Sequence, residues 1–191
     1  MHYFIHDSDL IISHSYLIMI IIFSLFNQRF FILYSLIRVS IKPGDSMEEV
    51  QFDEEGIRFR YLSNWKEQNK EMIGPNCIKA LVKVVEENPS TITVYKNDAG
   101  EAEAVAQIEE AFKESFEAQG WTIVESRILN LNGMPVYNII TTAEEGGKTL
   151  ENNTSALIND GNMYVFELMH FKEFPYAYND YLAIMDSIEF E

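Results

Sequence analysis

Apolar residues follow two different patterns along this 191-residue chain, and the pattern changes near residue 46. Residues 10–41 form one long apolar run, broken only by Asn27-Gln28-Arg29 and a few other polar residues. Beyond residue 46, short apolar runs repeat with a period of two, which indicates strands, or of three to four, which indicates amphipathic helices. The sequence therefore predicts a leader, residues 1–46, and one folded domain, residues 48–191.

Three segments at the start of the domain predict strands. "IRFRYL" (57–62) alternates apolar and basic residues, "NCIKALVKVVEE" (76–87) is rich in Val, Ile and Leu, and "TITVYK" (91–96) is β-branched. Asn88-Pro89 predicts a break between the last two. Together these segments predict the antiparallel start of a sheet.

An amphipathic helix is predicted over residues 101–119. Asp98 and Glu101 have the spacing of a capping box, and Gly120 fits the end of the helix. The apolar residues that recur at helical spacing are Val105, Ile108, Phe112 and Phe116. This helix is expected to cover one face of the sheet.

Residues 121–171 predict four long antiparallel strands. The segments are "WTIVESRILNL", "MPVYNIITTA", "KTLENNTSALI" and "NMYVFELMHF". The connections are Asn132-Gly133, a Glu-Glu-Gly-Gly turn and Asn159-Asp160-Gly161, all strong turn signals. Strands of this length predict a curved antiparallel meander.

The chain ends with a predicted helix, residues 175–186, and a short strand in "SIEFE". Pro175 falls in the first turn of that helix, where proline is tolerated. The predicted buried stripe consists of Tyr178, Tyr181, Leu182 and Met185. The whole order predicts an α+β fold with two covering helices.

Three stretches are similar to the PsbP-like family, whose α/β/α sandwich is shared with Ran-binding Mog-type proteins. They are "FDEEGIRFRYLSNWKEQ" (52–68), "LNLNGMPVYNI" (129–139) and "YLAIMDSIEF" (181–190). Leu62 stands where the family usually has proline. The resemblance covers about residues 50–190 and is to the family's uncharacterised prokaryotic branch. It implies an α/β/α sandwich and a binding or assembly role without an active site, and it identifies no contact residue.

Charge narrows the choice of partner. The net charge of −16 lies entirely on the domain, which has 11 basic and 27 acidic side chains. An acidic surface repels nucleic-acid phosphates and anionic lipids, so neither is an expected ligand of the domain. A basic protein partner is compatible with this charge.

Three interpretations of the leader remain open. Residues 16–37 are long enough to span a membrane, although Arg29 near the bilayer centre costs roughly 2.5–3.5 kcal/mol. Arg38 and Lys42 would then leave the domain in the cytoplasm. Alternatively, translation starts at Met47, since Gly44-Asp45 can be encoded by a ribosome-binding sequence, and the domain is a cytoplasmic protein. A secretory signal fits less well, because no basic residue precedes the apolar run.

Chemistry-bearing residues do not form a recognisable motif. His170 is the only histidine of the domain and Cys77 the only cysteine of the chain, so the usual zinc ligand sets cannot form and there is no intrachain disulfide. Lys79 is expected on the same face as Cys77, where it would lower the thiol pKa slightly if the thiol were exposed. We expect Cys77 to be a small buried side chain and His170 a strand residue with one hydrogen-bond partner.

Two further motifs fail on spacing. "GGKT" (146–149) lacks the first glycine of a phosphate-binding loop, because position 142 is Thr. The acidic groups Asp53-Glu54-Glu55 and Asp98-Glu101-Glu103 could hold calcium weakly but lack the spacing of a dedicated loop. The sequence therefore predicts no catalytic, cofactor-binding or metal-binding residue.

The candidate contact surface is an aromatic pair, Phe174 and Tyr176, beside Glu173 and Asp180. Core packing is the commoner role of such a cluster, but this pair does not fit the buried stripe. The favoured function is a non-enzymatic binding or assembly module with a protein partner. The alternatives are a membrane-tethered accessory domain anchored by residues 16–37 and a hydrolase, which the single histidine disfavours.

Overall fold

The computed structural model describes residues 47–100, 102 and 104–191, and within them two sheets and two helices form the fold. The strands are β1 (Glu49–Glu54), β2 (Ile57–Leu62), β3 (Lys66–Glu67), β4 (Cys77–Val85), β5 (Asn88–Asp98), β6 (Thr122–Leu131), β7 (Met134–Glu145), β8 (Lys148–Asn159), β9 (Asn162–Phe171) and β10 (Glu189–Phe190). The helices are α1 (Glu109–Ala118) and α2 (Tyr178–Asp186).

The large sheet has seven strands in the order β3-β4-β5-β9-β8-β7-β6, and the small sheet has the order β1-β2-β10. Every strand pair among the described residues is antiparallel. The four-strand meander is confirmed as β6 to β9. The predicted strand 57–62 is confirmed as well, but it belongs to the small sheet and not to the start of the large one.

The two faces of the large sheet are covered by different elements. Phe112 of α1 packs edge-on against Tyr137 of β7, with ring centroids 5.7 Å apart. Because neighbouring strand residues point to opposite faces, Val136 lies on the other face, in the cluster that includes Phe59 and Tyr181. The small sheet and α2 cover that second face. This is the expected α/β/α arrangement.

The turn between β4 and β5 corrects one prediction. Asn88 and Pro89 lie inside β5, and the chain reverses at Glu86 and Glu87. Strand β9 pairs with β5 only from Thr91 onward, so Pro89 has a strand on one side only. A proline is tolerated there because its missing N–H leaves no ladder bond unmade.

The first helix also differs from the prediction of residues 101–119. α1 begins at Glu109, after a 3₁₀ turn at Val105–Gln107. The Asp98 carboxylate accepts a hydrogen bond from the Gly100 amide at 2.7 Å, which makes a local turn instead of a helix cap. Glu101, the second half of the predicted capping box, is outside the described residues. Gly120, with φ of +82°, ends the helix as expected.

The buried stripe of the second helix is partly as predicted. Tyr181 and Met185 are buried, whereas Leu182 is 42% exposed. Leu182 is turned away from the sheet because the stripe is centred on Tyr181, Ile184 and Ile188, which recur at spacings of three and four. Among the described residues no helix is long and apolar enough to cross a membrane. The predicted span 16–37 lies outside the described residues.

Candidate functional site

Three chain connections meet at one end of the large sheet. Strands β4, β7 and β9 end there, so the β4–β5 turn, the β7–β8 turn and the β9–α2 connection lie side by side. We call this surface the acidic end. Its members are Glu86, Glu87, Glu144, Glu145, Glu173, Phe174 and Tyr176.

The predicted aromatic pair lies on this surface. The ring centroids of Phe174 and Tyr176 are 6.4 Å apart; Phe174 is half-buried and Tyr176 is 49% exposed. The Phe174 amide donates to the Phe171 carbonyl at 2.8 Å, and Pro175 then starts a 3₁₀ turn. That turn directs Ala177 to the core. Tyr176 consequently points outward.

Lys148 joins two of the three connections at the acidic end. Its Nζ lies 5.0 Å from the ring centroid of Phe171 and 5.3 Å from that of Phe174. The same ammonium donates to Asn88 Oδ1 at 3.0 Å. Cation–π contact of this kind restrains the position of the aromatic ring. Phe174 is therefore held in place while Tyr176 remains accessible.

Glu173 supplies a fixed negative charge next to the pair. Its Oε1 accepts from the Thr149 amide at 3.3 Å. Hydrogen bonds from its own amide and from that of Thr149 lower the pKa of the Glu173 carboxyl, because they favour the charged form. Glu173 is thus ionised at neutral pH.

Asp180 lies in an internal network and not among the exposed acids. Its Oδ2 accepts from Lys83 Nζ at 2.7 Å and from Trp65 Nε1 at 2.9 Å. The side chains of Lys83 and Asp180 are only 14% and 18% exposed. Asp180 therefore fixes α2 to β4 and to the β2–β3 connection. A direct contact between Asp180 and a partner stays a prediction.

Glu167 is a residue that the sequence analysis overlooked. It lies on β9, is 4% exposed, and accepts from Thr93 Oγ1 at 3.4 Å. Burial raises the pKa of Glu167 to about 7. The signal was present in the sequence, because Glu167 is the one charged residue in the apolar stretch "MYVFELM".

Cys77 and Tyr95 lie near Glu167, but the group lacks an activated nucleophile. Burial raises the pKa of Cys77 to about 12 and that of Tyr95 well above its ordinary value, and the Glu167 charge adds to both shifts. A thiol with such a pKa stays protonated at neutral pH. The cluster can store a proton on Glu167, but it does not activate Cys77.

Lys79 does not lie on the same face as Cys77, and that part of the sequence prediction is wrong. A bulge between the two residues changes the face to which β4 directs its side chains. Lys79 Nζ lies 2.5 Å from Glu67 Oε1 and over the rings of Phe52 and Tyr61. Cys77 lines an open depression of about 470 Å³ whose rim also includes Glu55 and Lys96, an ion pair at 3.5 Å.

His170 is a strand residue with one hydrogen-bond partner, as predicted, and it is buried. Its Nδ1 lies 3.0 Å from the Phe171 carbonyl oxygen and its Nε2 lies 3.3 Å from Glu151 Oε1. The second contact is within ion-pair distance, yet its geometry is not that of a hydrogen bond. Within the described residues no three His, Cys, Asp or Glu side chains are grouped to hold a metal.

No family model and no curated protein matches this chain. Among solved structures, it is similar to cyanobacterial PsbP (CyanoP) from Synechocystis sp. PCC 6803, with a TM-score of 0.61, 12% identity, and coverage of 81% of this chain and 99% of the other. It is also similar to the Saccharomyces cerevisiae Ran-binding protein Mog1p, with a TM-score of 0.52, 9% identity, and coverage of 76% and 96%.

A third similar structure is PA94 of Pseudomonas aeruginosa, a protein of unknown function. Its TM-score is 0.52 at 10% identity, with coverage of 73% of this chain and 94% of the other. The chain therefore has the PsbP/Mog1 α+β fold. At such identities the likeness is one of fold and carries no functional residue across.

Proposed function

We propose that this protein is a non-enzymatic binding or assembly module that contacts a basic protein partner through the acidic end. The observation that carries the proposal is the exposed ring of Tyr176 beside Phe174, at the end of the sheet where two turns with paired glutamates also lie. Aromatic anchors within a charged rim are typical of protein-binding surfaces. The fold supports the same role, since Mog1p is a Ran-binding protein.

The two parts of the surface have different roles. The aromatic pair supplies apolar area that a partner can bury. Because Lys148 already holds Phe174, this side chain loses little conformational freedom on binding. The five glutamates attract a basic partner over a distance and raise the association rate, an effect that salt screens. Affinity is therefore assigned to the aromatic pair and salt-dependent association to the acidic rim.

The one cysteine of the chain and the one histidine of the domain support a role without catalysis. Cys77 is the only cysteine, and burial raises the pKa of its thiol to about 12, the opposite of what a nucleophile needs. His170 lies 2% exposed inside the sheet. His170 is therefore closed off from solvent, and the Cys77 thiol, although it lines an open depression, stays protonated at neutral pH.

A pull-down with the full-length chain tests the aromatic pair. The double variant Phe174→Ser/Tyr176→Ser should lose the partner while its circular dichroism spectrum stays native. Leu182→Ser is the matched control, because Leu182 is also an exposed apolar residue but lies outside the acidic end. Retention of the partner by the double variant would refute this surface.

The acidic rim is tested with two variants that have the same net charge but lose four carboxylates at different places on the surface. One variant changes Glu86, Glu87, Glu144 and Glu145 to Gln, and its control changes the exposed residues Glu54, Glu110, Glu114 and Glu117 to Gln. The first should slow association at low salt by about tenfold and flatten its salt dependence, whereas the control should not. Equal effects of both variants would mean that only net charge matters.

The cellular location is a further part of the proposal. We place the domain in the cytoplasm, either free or held by residues 16–37. Arg38 and Lys42 on the domain side of that segment support this orientation. Fractionation together with the intact mass of the native protein distinguishes a free from a tethered domain, and protease protection in sealed vesicles reports the side.

A further inference from the structure

Strand β6 ends the large sheet and exposes a long edge. It covers Thr122–Leu131, and among the described residues it pairs with β7 alone. Three apolar side chains on it reach solvent: Val124 is 56% exposed, Ile128 47% and Leu129 38%. An edge of this kind presents unpaired N–H and C=O groups to another strand.

Symmetry restricts how β6 can pair with β6 of a second copy. In an antiparallel pair, opposite residues share a face, so a two-fold axis between two copies of one strand must pass beside a residue paired with itself. An axis beside Glu125 sets two carboxylates against each other, and an axis beside Arg127 sets two guanidinium groups against each other. Like charges directly opposite are destabilising, so both registers are disfavoured.

The register between these two pairs unlike charges. With the axis beside Ser126, Glu125 of each copy lies opposite Arg127 of the other. Glu125 and Arg127 already form an ion pair within one chain, with Arg127 Nη1 2.6 Å from Glu125 Oε1, so the two copies would bring four charges of alternating sign together. The same register brings Val124, the bulged residue of β6, near Ile128 of the other copy; these are the two most exposed apolar residues of the strand.

The surroundings of Ser126 leave the edge itself open. The Ser126 hydroxyl is directed under α1, where it contacts Glu109 Oε1 and Tyr137 Oη, each at 3.2 Å. The single bulge of β6, between Ile123 and Glu125, lies at the margin of the proposed contact and leaves residues 125–131 in regular register with β7. Both charged residues, Glu125 and Arg127, thus lie in the regular part of the strand.

We propose that two copies of this protein associate through antiparallel pairing of β6 about an axis at Ser126, joining their large sheets into one. The occupant of the edge is a second copy because charge and apolar exposure are self-complementary in this one register. The contact leaves the acidic end of each copy, which has its own partner in the proposed function, separate from the dimer axis.

Sedimentation equilibrium of the full-length chain tests the register by charge exchange. Arg127→Glu and Glu125→Arg should each raise the dimer dissociation constant by about tenfold or more, because each sets like charges opposite one another. The double variant Glu125→Arg/Arg127→Glu restores opposite charges and should dimerise like the parent. A parent that stays monomeric, or a dimer that both single variants leave unchanged, overturns the proposal.

Cysteine cross-linking checks the axis directly. In a Cys77→Ala background, Ser126→Cys should form a disulfide-linked dimer under mild oxidation, since opposite residues of an antiparallel pair have Cα atoms about 4.5–5.5 Å apart. Asn130→Cys is the matched control on the same strand and should not cross-link, because in this register it faces Thr122. Cross-linking through Asn130 alone would show another register and overturn the assignment.

Discussion

The two ends of the large sheet close their hairpins with the same backbone geometry but with different residues. At one end, Asn132-Gly133 has φ values of +52° and +88°, and Asp160-Gly161 is similar at +47° and +71°. At the acidic end, Glu86 and Glu87 adopt +50° and +67°. Two-residue turns of this shape favour Asn-Gly or Asp-Gly, whereas a left-handed residue other than glycine costs about 1–2 kcal/mol.

The β4–β5 turn thus keeps its carboxylates at the expense of local stability, whereas the β7–β8 turn at the same end has glycine at both positions, Gly146 at +58° and Gly147 at +78°. The β4–β5 turn is held from outside: Asn88 Nδ2 donates to the Glu86 carbonyl at 2.8 Å, and Lys148 donates to Asn88. Strained backbone that neighbouring groups hold in place is concentrated at functional sites. The Glu86-Glu87 turn thus supports the assignment of the contact surface to this end and not to the Asn-Gly end.

Midway between the two ends, Glu167 should have the largest effect on stability. Its folded-state pKa is raised from 4.5 to about 7, so the stabilising contribution of the neutral form is complete below pH 4.5 and is lost as the pH rises through 7. Since one pKa unit corresponds to about 1.4 kcal/mol, Glu167→Gln should gain about 3 kcal/mol over the parent between acidic and mildly alkaline pH. Urea unfolding at a series of pH values measures this difference.

The subtraction between parent and Gln variant removes the effect of carboxyls with lowered pKa, such as Glu67 and Glu173, which act in the opposite direction. A constant difference across the pH range would mean that Glu167 is hydrated in the folded protein. In that case water would reach the part of the sheet that lies between the two ends.

A comparison of Asp180 with Glu173 should distinguish an acidic side chain that stabilises the fold from one that binds a partner. Asp180→Ala leaves the Lys83 ammonium and the Trp65 N–H without their acceptor, and should lower the free energy of unfolding by about 2 kcal/mol. Glu173→Ala, the control at an exposed site, should change stability little and weaken partner binding instead. Urea denaturation followed by circular dichroism and a pull-down give both values; the reverse outcome would place Asp180 on the contact surface.

At the end opposite the acidic end, Gly133→Ala introduces the same backbone strain that the Glu86-Glu87 turn already has. Gly133 has open space around a Cβ, so the cost is that of the left-handed backbone alone, about 1 kcal/mol. Gly56→Ala is the matched variant, because its Cβ would also lie 3.1 Å from Tyr164 Oη, and its cost should be about 2 kcal/mol. Equal losses in urea denaturation would show that Tyr164 moves aside freely.

The smallest effect is expected from repair of the acidic turn. Glu87→Gly relieves one left-handed residue and should raise the free energy of unfolding by about 0.5–1 kcal/mol, the rest being offset by the greater freedom of glycine in the unfolded chain. Partner binding should weaken at the same time if the carboxylate contributes to the surface. Unchanged or lower stability would mean that the turn is not strained.

Local patterns predicted most of the elements because their causes are local. The alternation in "IRFRYL" and the Asn132-Gly133 pair specify a strand and a turn by themselves, and both were found as predicted. The small sheet was not foreseen, since the pairing of β2 with β10 joins residues far apart in sequence. The Glu86-Glu87 turn was missed for the opposite reason: its sequence contradicts the local rule.

In the candidate site, too, the features with local causes could be predicted and those with long-range causes could not. Phe174 and Tyr176 were selected because they do not fit the helical stripe, and the structure places them together at a surface. Asp180 was grouped with them by sequence distance, but Lys83 and Trp65 reach it from other elements. Such long-range partners leave no trace in the spacing of residues.

The two covering layers of the large sheet each contain one tryptophan, and the Asp180 network holds one of the two. Trp65 is buried beneath α2 with its indole N–H on the Asp180 carboxylate, while Trp121 packs against Phe116 of α1, with ring centroids 6.3 Å apart. These are the two tryptophans of the chain. Emission from Trp65→Phe and Trp121→Phe variants therefore reports separately on the two layers, and shows whether they melt together or one after the other.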